Sequence, residues 1–285
     1  MPELLRKSHG CRLYLPILHP IIIKTMGGTI RCMVSELEVA IKAARKAGAI
    51  SLGHFGKAIG HQMKPDNSPV TRMDRLCERE MLRIVRSAFP DDSILAEESG
   101  RQEKDPERRW IIDPIDGTKS FIRGLPFYGN LIAFEDCGEI TAGAICVPAM
   151  GLLLHAEKGR GAYENGRKIR VSRISELEEA YILHGRGKGF LEKGYLKKLR
   201  LLLNGVYHSW GIGDVYGYCL LACGKVDALI ETFPHPWDVA APKIIVEEAG
   251  GKFSDLSNNP TIFSNTIAIG SNGLIHSQLI DILRK

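Results

Sequence analysis

The order of elements predicts a layered α/β (α+β) body, two sandwiched sheets with helices between and outside them. Three observations carry this. Amphipathic helical patterning begins after Met33, a run of antiparallel hairpins fills the middle, and helical and strand patterns alternate thereafter. With 285 residues, 44% apolar and 25% charged, the chain has ordinary globular proportions and ample length for a core.

Glu36 to Phe55 reads as the first helix, since Leu37, Ile41, Ala44, Gly48 and Leu52 recur at three- and four-residue steps opposite Lys42, Arg45 and Lys46. His61 to Pro69 reads as a polar loop with turn residues Pro65-Asp66-Asn67-Ser68. A second helix is predicted over about Arg72 to Ala88, ended by Pro90-Asp91-Asp92. Ser93 to Ala96 is a short strand candidate running into Glu97-Glu98-Ser99-Gly100, and Arg101 to Arg109 reads as a charged loop. Trp110-Ile111-Ile112 is a buried-strand signal that stops at Asp113. Strands over Tyr128–Glu135, Ile140–Val147, Leu152–Ala156 and Lys168–Val171 form a meander, its last hairpin marked by Asn165-Gly166. From about Ser172 the pattern alternates: a basic helix over Phe190–Leu203, a helix over Asp214–Ala222, a strand over Val226–Glu231 and a helix over Val239–Ala249. A strand over Ile267–Ile269 and a closing helix over Leu274–Leu283 complete it. This divides the chain into an extension 1–32, an N-terminal α+β half 33–171 and a C-terminal α/β half 172–285.

The 38 Lys and Arg against 33 Asp and Glu leave a net charge of +5, mild enough to favour anionic small molecules without a nucleic-acid footprint. Seven cysteines without CxxC or zinc spacing read as reduced thiols in a reducing, cytoplasmic compartment. In the first 32 residues Arg6, Lys7 and Arg12 precede an apolar stretch, Leu13 to Ile23, interrupted by Pro16, His19 and Pro20. A signal peptide is one reading; the prolines and the poor cleavage context favour an appended or mis-started N-terminus. The stretch is too short for a membrane span, which takes ~20 apolar residues.

The chemistry concentrates in Trp110-Ile-Ile-Asp-Pro-Ile-Asp-Gly-Thr118. Pro114 is expected to force the chain out of the ladder after Asp113. Two carboxylates within one turn repel unless cations lie between them, and hard cations such as Mg²⁺ take carboxylate and carbonyl oxygens, the Ile115 carbonyl included. Gly117 and Thr118 lead into a helix, where backbone N–H groups suit a phosphate oxygen. A bare pattern of this kind also reads as a turn with an N-cap and a surface acid. Glu97-Glu98 at a strand end, Asp74 at a helix head and Asp238 after Pro236-Trp237 each have a bland reading too, as solvated acid or cap.

Taken together, Glu97-Glu98-Ser99, Trp110 to Thr118, Trp237-Asp-Val-Ala-Ala241 and Glu248-Ala-Gly-Gly251 resemble the inositol monophosphatase family from about Met33 to the C-terminus. The resemblance implies a layered α/β/α/β/α sandwich of the inositol monophosphatase and fructose-1,6-bisphosphatase type. It further implies a homodimer, two or three Mg²⁺ ions (Mn²⁺ being possible), Li⁺ sensitivity and a small-molecule phosphate ester as substrate, with no membrane or nucleic-acid partner. By position, Glu97, Asp113 and the Ile115 carbonyl would hold the first ion, Asp113, Asp116 and Asp238 the second, and Glu97 would reach a third. Asp74 and Thr118 resemble the pair that orients attacking water, and Gly117 and Thr118 the phosphate seat.

Lys119 to Gly129 and Gly213-Asp-Val-Tyr-Gly-Tyr218 are similar to the histidinol-phosphate phosphatase branch, in which an acid occupies the position of Asp214. Asp214 and Glu231 are candidates for recognising the substrate's cationic groups, with a helix N-cap as the other reading of Asp214. Arg123 would steer substrate or cross a dimer interface. His235, three residues before Asp238, follows the inositol-phosphatase pattern, which keeps inositol-1-phosphate and fructose-1,6-bisphosphate open. The basic stretch Arg186 to Arg200 reads as a solvated helix face or a guide for anions. A regulatory nucleic-acid-binding protein on the same fold is the competing class, opposed by the complete acid set.

Overall fold

Serine and threonine caps open the two N-terminal helices of the computed structural model, which describes residues 34–65, 68–232, 234–263 and 266–285. The extension 1–32 and Asp66-Asn67 of the polar loop lie outside the described residues, as do Cys11 and Cys32. In α1 (Glu36–Leu52) the Glu38 N–H donates to the Ser35 hydroxyl, and the Ser35 N–H donates back to the Glu38 carboxylate. A small antiparallel hairpin, β1 (His61–Met63) with β2 (Pro69–Thr71), stands where the sequence predicts only a polar loop. Its last residue, Thr71, caps α2 (Arg72–Ala88).

The first sheet takes β3 (Asp92–Ala96), β4 (Gly100–Gln102) and β5 (Asp105–Asp116), then, after the short helix α3 (Thr118–Ile122), an antiparallel meander of five strands where four are predicted. That meander is β6 (Gly129–Asp136), β7 (Glu139–Val147), β8 (Leu152–Glu157), the unpredicted β9 (Gly161–Glu164) and β10 (Arg167–Lys168), which lies across the Asn165-Gly166 turn from β9 and stops short of the expected Val171. Its order is β10-β9-β8-β7-β6-β5-β3-β4, antiparallel except for the β3–β5 pair. The charged stretch 101–109, predicted as loop, is β4 and the first part of β5. Two of its arginines are ion-paired and half-buried, Arg108 reaching Asp92 at 2.8 Å and Glu36 at 3.0 Å and Arg109 reaching Glu135 at 2.7 Å, whereas Arg101 stays exposed.

The second sheet uses β11 (Tyr181–His184), then α4 (Gly187–Glu192) and α5 (Leu196–Asn204), β12 (His208–Trp210), α6 (Asp214–Ala222), β13 (Ala228–Thr232), α7 (Pro236–Glu248), β14 (Lys252–Asp255), β15 (Ile267–Ser271) and α8 (His276–Arg284). Its order is β12-β11-β13-β15-β14, with β11 parallel to both its neighbours. The single helix predicted over 190–203 is two. Gly194 takes φ +75°, the left-handed conformation that ends α4, before α5 begins.

Alternation along the strands sorts the core into layers. Trp110 and Ile112 pack with α1 and α2, whereas Ile111 faces the opposite side with residues of α6 and α7. In the second sheet Leu183 and Leu229 face that same middle layer, while Ile182 and Ile230 face α5 and α8. The result is helix, sheet, helix, sheet, helix, the predicted layered sandwich. Close approach of α7 to the first sheet depends on Gly143, where an added Cβ would lie 2.7 Å from Ile244 Cγ2 and 3.2 Å from Ala241 Cα. Among the described residues no helix is long and apolar enough to cross a membrane, and Cys77, Cys137, Cys146, Cys219 and Cys223 are free thiols.

Candidate metal centre

Parallel pairing of β3 with β5 sets Ala96 opposite Ile112, and the Glu97 N–H donates to the Ile112 carbonyl at 3.1 Å. Glu97 therefore arrives beside Asp113. The strand does not end there as the sequence suggests. β5 continues to Asp116 with a bulge: Asp113 pairs with Leu131 and Asp116 with Gly129, so three steps on β5 face two on β6. Pro114 has no N–H for the ladder, which accounts for the irregularity. In a regular strand residues three apart point to opposite faces; the extra residue turns Asp113 and Asp116 toward the same side. Asn130, fully buried, donates its side-chain amide to the Pro114 carbonyl and so satisfies the bulge.

Asp238 comes from the second half of the chain. Pro236 opens α7, and the Asp238 carboxylate accepts the His235 N–H at 2.7 Å, so His235, not Asp238, is the N-cap. One carboxylate oxygen from each of Asp113, Asp116 and Asp238 lies within 4.8 Å of the others. At that separation two unit charges repel by about 3.5 kcal/mol with an effective dielectric constant of ~20. Burial and then the neighbouring carboxylates push Asp113 and Asp116 well above the usual carboxylate range. Burial carries Asp238 to about 7 despite the His235 N–H that favours its ionised form. Asp113 is 2% exposed, and its Oδ1 has no hydrogen-bond partner. An orphaned buried oxygen among crowded acids, all hard oxygen donors, fits a divalent cation such as Mg²⁺.

Glu97 stands at the edge of this cluster, with its carboxylate held by Lys64 Nζ at 2.8 Å; Glu98 is held by the same ammonium at 2.5 Å. Burial would lower the Lys64 pKa, but its hydrogen bonds to the two glutamates raise it above the ordinary range. Asp74 lies in the first turn of α2 and is 1% exposed, accepting the Thr71 N–H at 2.7 Å and the Thr118 hydroxyl at 3.1 Å. The Thr118 hydroxyl is also 2.9 Å from the Ile115 carbonyl, which keeps a second lone pair. Gly117 precedes α3 at φ +78°, and an added Cβ would lie 2.7 Å from the Phe127 carbonyl. Only glycine fits there.

Asp214 and Glu231 border the cluster. The N-cap of α6 is Gly213, so the cap reading of Asp214 is set aside. Instead Asp214 takes φ +55° and donates its N–H to Glu231 Oε1 at 2.7 Å, and the next amide, Val215, donates to Asp116 Oδ2 at 2.5 Å. Burial, then the Asp214 carboxylate, push Glu231 up to about 8. The cations acting on Asp214 are Arg186 and Lys119, not Arg123, which is exposed at the C-cap of α3. His235 is exposed, its ring stacked on Trp237 at 4.8 Å between centroids. Sequence reasoning singled out neither Lys64, hidden in a polar loop, nor Arg186, grouped with a solvated helix face.

The inositol monophosphatase family's sequence profile matches residues 33–285. The histidinol-phosphatase of Chlorobaculum parvum is 37% identical over 258 residues, 87% of this chain and 96% of the relative. The fructose-1,6-bisphosphatase/inositol-1-monophosphatase of Thermotoga maritima is 35% identical, over 88% of this chain and 97% of the relative. Among solved structures, the Thermotoga maritima IMPase superposes with a TM-score of 0.79 at 35% identity, covering 87% of this chain and 96% of that one. The chain belongs to the inositol monophosphatase family of Mg²⁺-dependent phosphatases.

Proposed function

We propose that this protein hydrolyses a small-molecule phosphate monoester with water in one step, and that histidinol phosphate is its preferred substrate. The observation that carries the hydrolytic reading is the convergence of Asp113, Asp116 and Asp238 beside the Asp74–Thr118 pair. Asp113, Asp116, Asp238, Glu97 and the Ile115 carbonyl would hold two or three Mg²⁺ ions. Bound there, the ions supply Lewis-acid polarisation of phosphoryl oxygens and a lowered pKa for water. Thr118, donating its hydroxyl hydrogen to Asp74, keeps a lone pair with which to accept a hydrogen from the attacking water and so align it. Asp74, buried and held by Thr71, is the acceptor that fixes that alignment. Backbone N–H groups of Gly117 and Thr118, at the start of α3, would donate to the transferring phosphoryl oxygens. No side chain has to become phosphorylated.

The substrate reading rests on Asp214 and Glu231, two carboxylates with which an ammonium and an imidazole would pair. Arg186 and Lys119 beside Asp214 favour instead a second phosphate, as in fructose-1,6-bisphosphate. Rates of phosphate release with Mg²⁺ from histidinol phosphate, inositol-1-phosphate, fructose-1,6-bisphosphate and 3′-phosphoadenosine-5′-phosphate decide between them. Histidinol phosphate is expected to rank first. A low rank overturns the substrate assignment, and release that persists in EDTA overturns the metal reading.

A further inference from the structure

Glu78 is a buried acid that the hydrolytic chemistry leaves without a task. It lies one helical turn after Asp74 on α2, so both carboxylates leave the same face of the helix. Glu78 is 3% exposed and forms no ion pair among the described residues. A buried carboxylate in that situation needs strong donors, and it finds them in the turn that follows β3. The Glu98 N–H donates to Glu78 Oε2 at 2.8 Å, with the N–H and hydroxyl of Ser99 against the same carboxylate.

That turn offers two adjacent acids, Glu97 and Glu98, and Lys64 binds both, so the ammonium does not choose between them. Two anchors do. The Glu97 N–H is tied to the Ile112 carbonyl at 3.1 Å and the Glu98 N–H to Glu78, which fixes the backbone on both sides of the Glu97 carbonyl. We propose that Glu78 is a positioning residue that selects Glu97, rather than Glu98, as the acid presented to the Asp113 cluster. Since Asp74 meets Thr118 from the same helix, α2 sets the water-aligning pair and the Glu97 ligand in one register. This inference rests on the metal reading proposed above.

Mn²⁺ binding to the full chain, measured by calorimetry without substrate, tests it. Glu78→Gln keeps the side chain's size but removes the charge and replaces one acceptor oxygen with an N–H donor beside the Glu98 N–H. The expected effect is about tenfold weaker Mn²⁺ binding, the scale on which partners behind metal ligands act. In a Glu97→Gln background the same change is expected to add little, because the ligand it positions is already gone. Unchanged affinity in Glu78→Gln, or an equal further loss in the Glu97→Gln background, would overturn the assignment. Absence of Mn²⁺ binding by the unaltered protein would overturn the metal reading along with it. Glu78→Asp, which shortens the reach to the turn yet keeps the charge, is expected to weaken binding too; unchanged affinity there would also count against the role.

Discussion

Charge crowding governs the site residue by residue. Asp113, Asp116, Asp238 and Glu231 all sit well above the ordinary carboxylate range, first because they are buried and then because they face one another or neighbouring acids. A protein keeps such a group where a ligand offsets the repulsion. Asp214 adds backbone strain, since φ +55° is uncommon for a non-glycine residue yet best tolerated by Asp and Asn. Asp214→Asn is therefore the informative change: it keeps the turn and removes the charge. We expect it to lower kcat/KM for histidinol phosphate about ten- to a hundredfold, the worth of one charged hydrogen bond, with little effect on inositol-1-phosphate. An equal loss on both substrates in parallel steady-state assays would reject cation recognition at Asp214. The spacing of Asp113, Asp116, Gly117 and Thr118 was legible in the sequence because these residues lie within one short segment. Lys64 and Glu78 were not, since what they do depends on which turn the sheet register delivers to them.

At the scale of elements, β5 and α7 assemble the centre between them. The bulge at Pro114 aims two aspartates, and α7 brings the third across from the other half of the chain. Proline was readable as an interruption, but whether a strand ends or bulges at it is settled by the neighbouring strand, here β6 with Asn130. Periodicity located α1 and α2 because each buries one face over several turns, whereas α7, lying between the two sheets, is buried at every position from Val239 to Val246 and shows no polar face there. The strands β11, β12 and β14 escaped, being only 4, 3 and 4 residues long, too short for alternation to register. The seat of α7 on β7 at Gly143 yields a second expectation. In Gly143→Ala the new methyl meets Ile244 and the Ala241 backbone, so stability should fall by about 1–3 kcal/mol, as overpacked cores do. Urea unfolding checks this; an unchanged midpoint and slope would show that α7 can withdraw freely.

Across the whole molecule, the middle helical layer joins two sheets, and a buried imidazole secures the outer part of the second. His276 is 1% exposed, with Nε2 2.8 Å from the Ser254 hydroxyl and Nδ1 2.8 Å from that of Ser271. Burial lowers its pKa from 6.5 to about 4. With the folded pKa depressed, the unfolded chain binds the proton first, so stability present above pH 6.5 is lost as pH falls toward 4. The slope is at most about 1.4 kcal/mol per pH unit for one proton. Unfolding free energies of wild type and His276→Asn between pH 7 and 4.5 should show the steeper acid loss in wild type; parallel profiles would remove His276 as a contributor.

The most direct measurement is anomalous scattering from crystals soaked in Mn²⁺. The expected result is a peak bounded by carboxylate oxygens of Asp113, Asp116 and Asp238, absent when Asp113 is changed to Asn. Ordered, well-resolved density for these three side chains with no peak between them at saturating Mn²⁺ would contradict a divalent-cation centre.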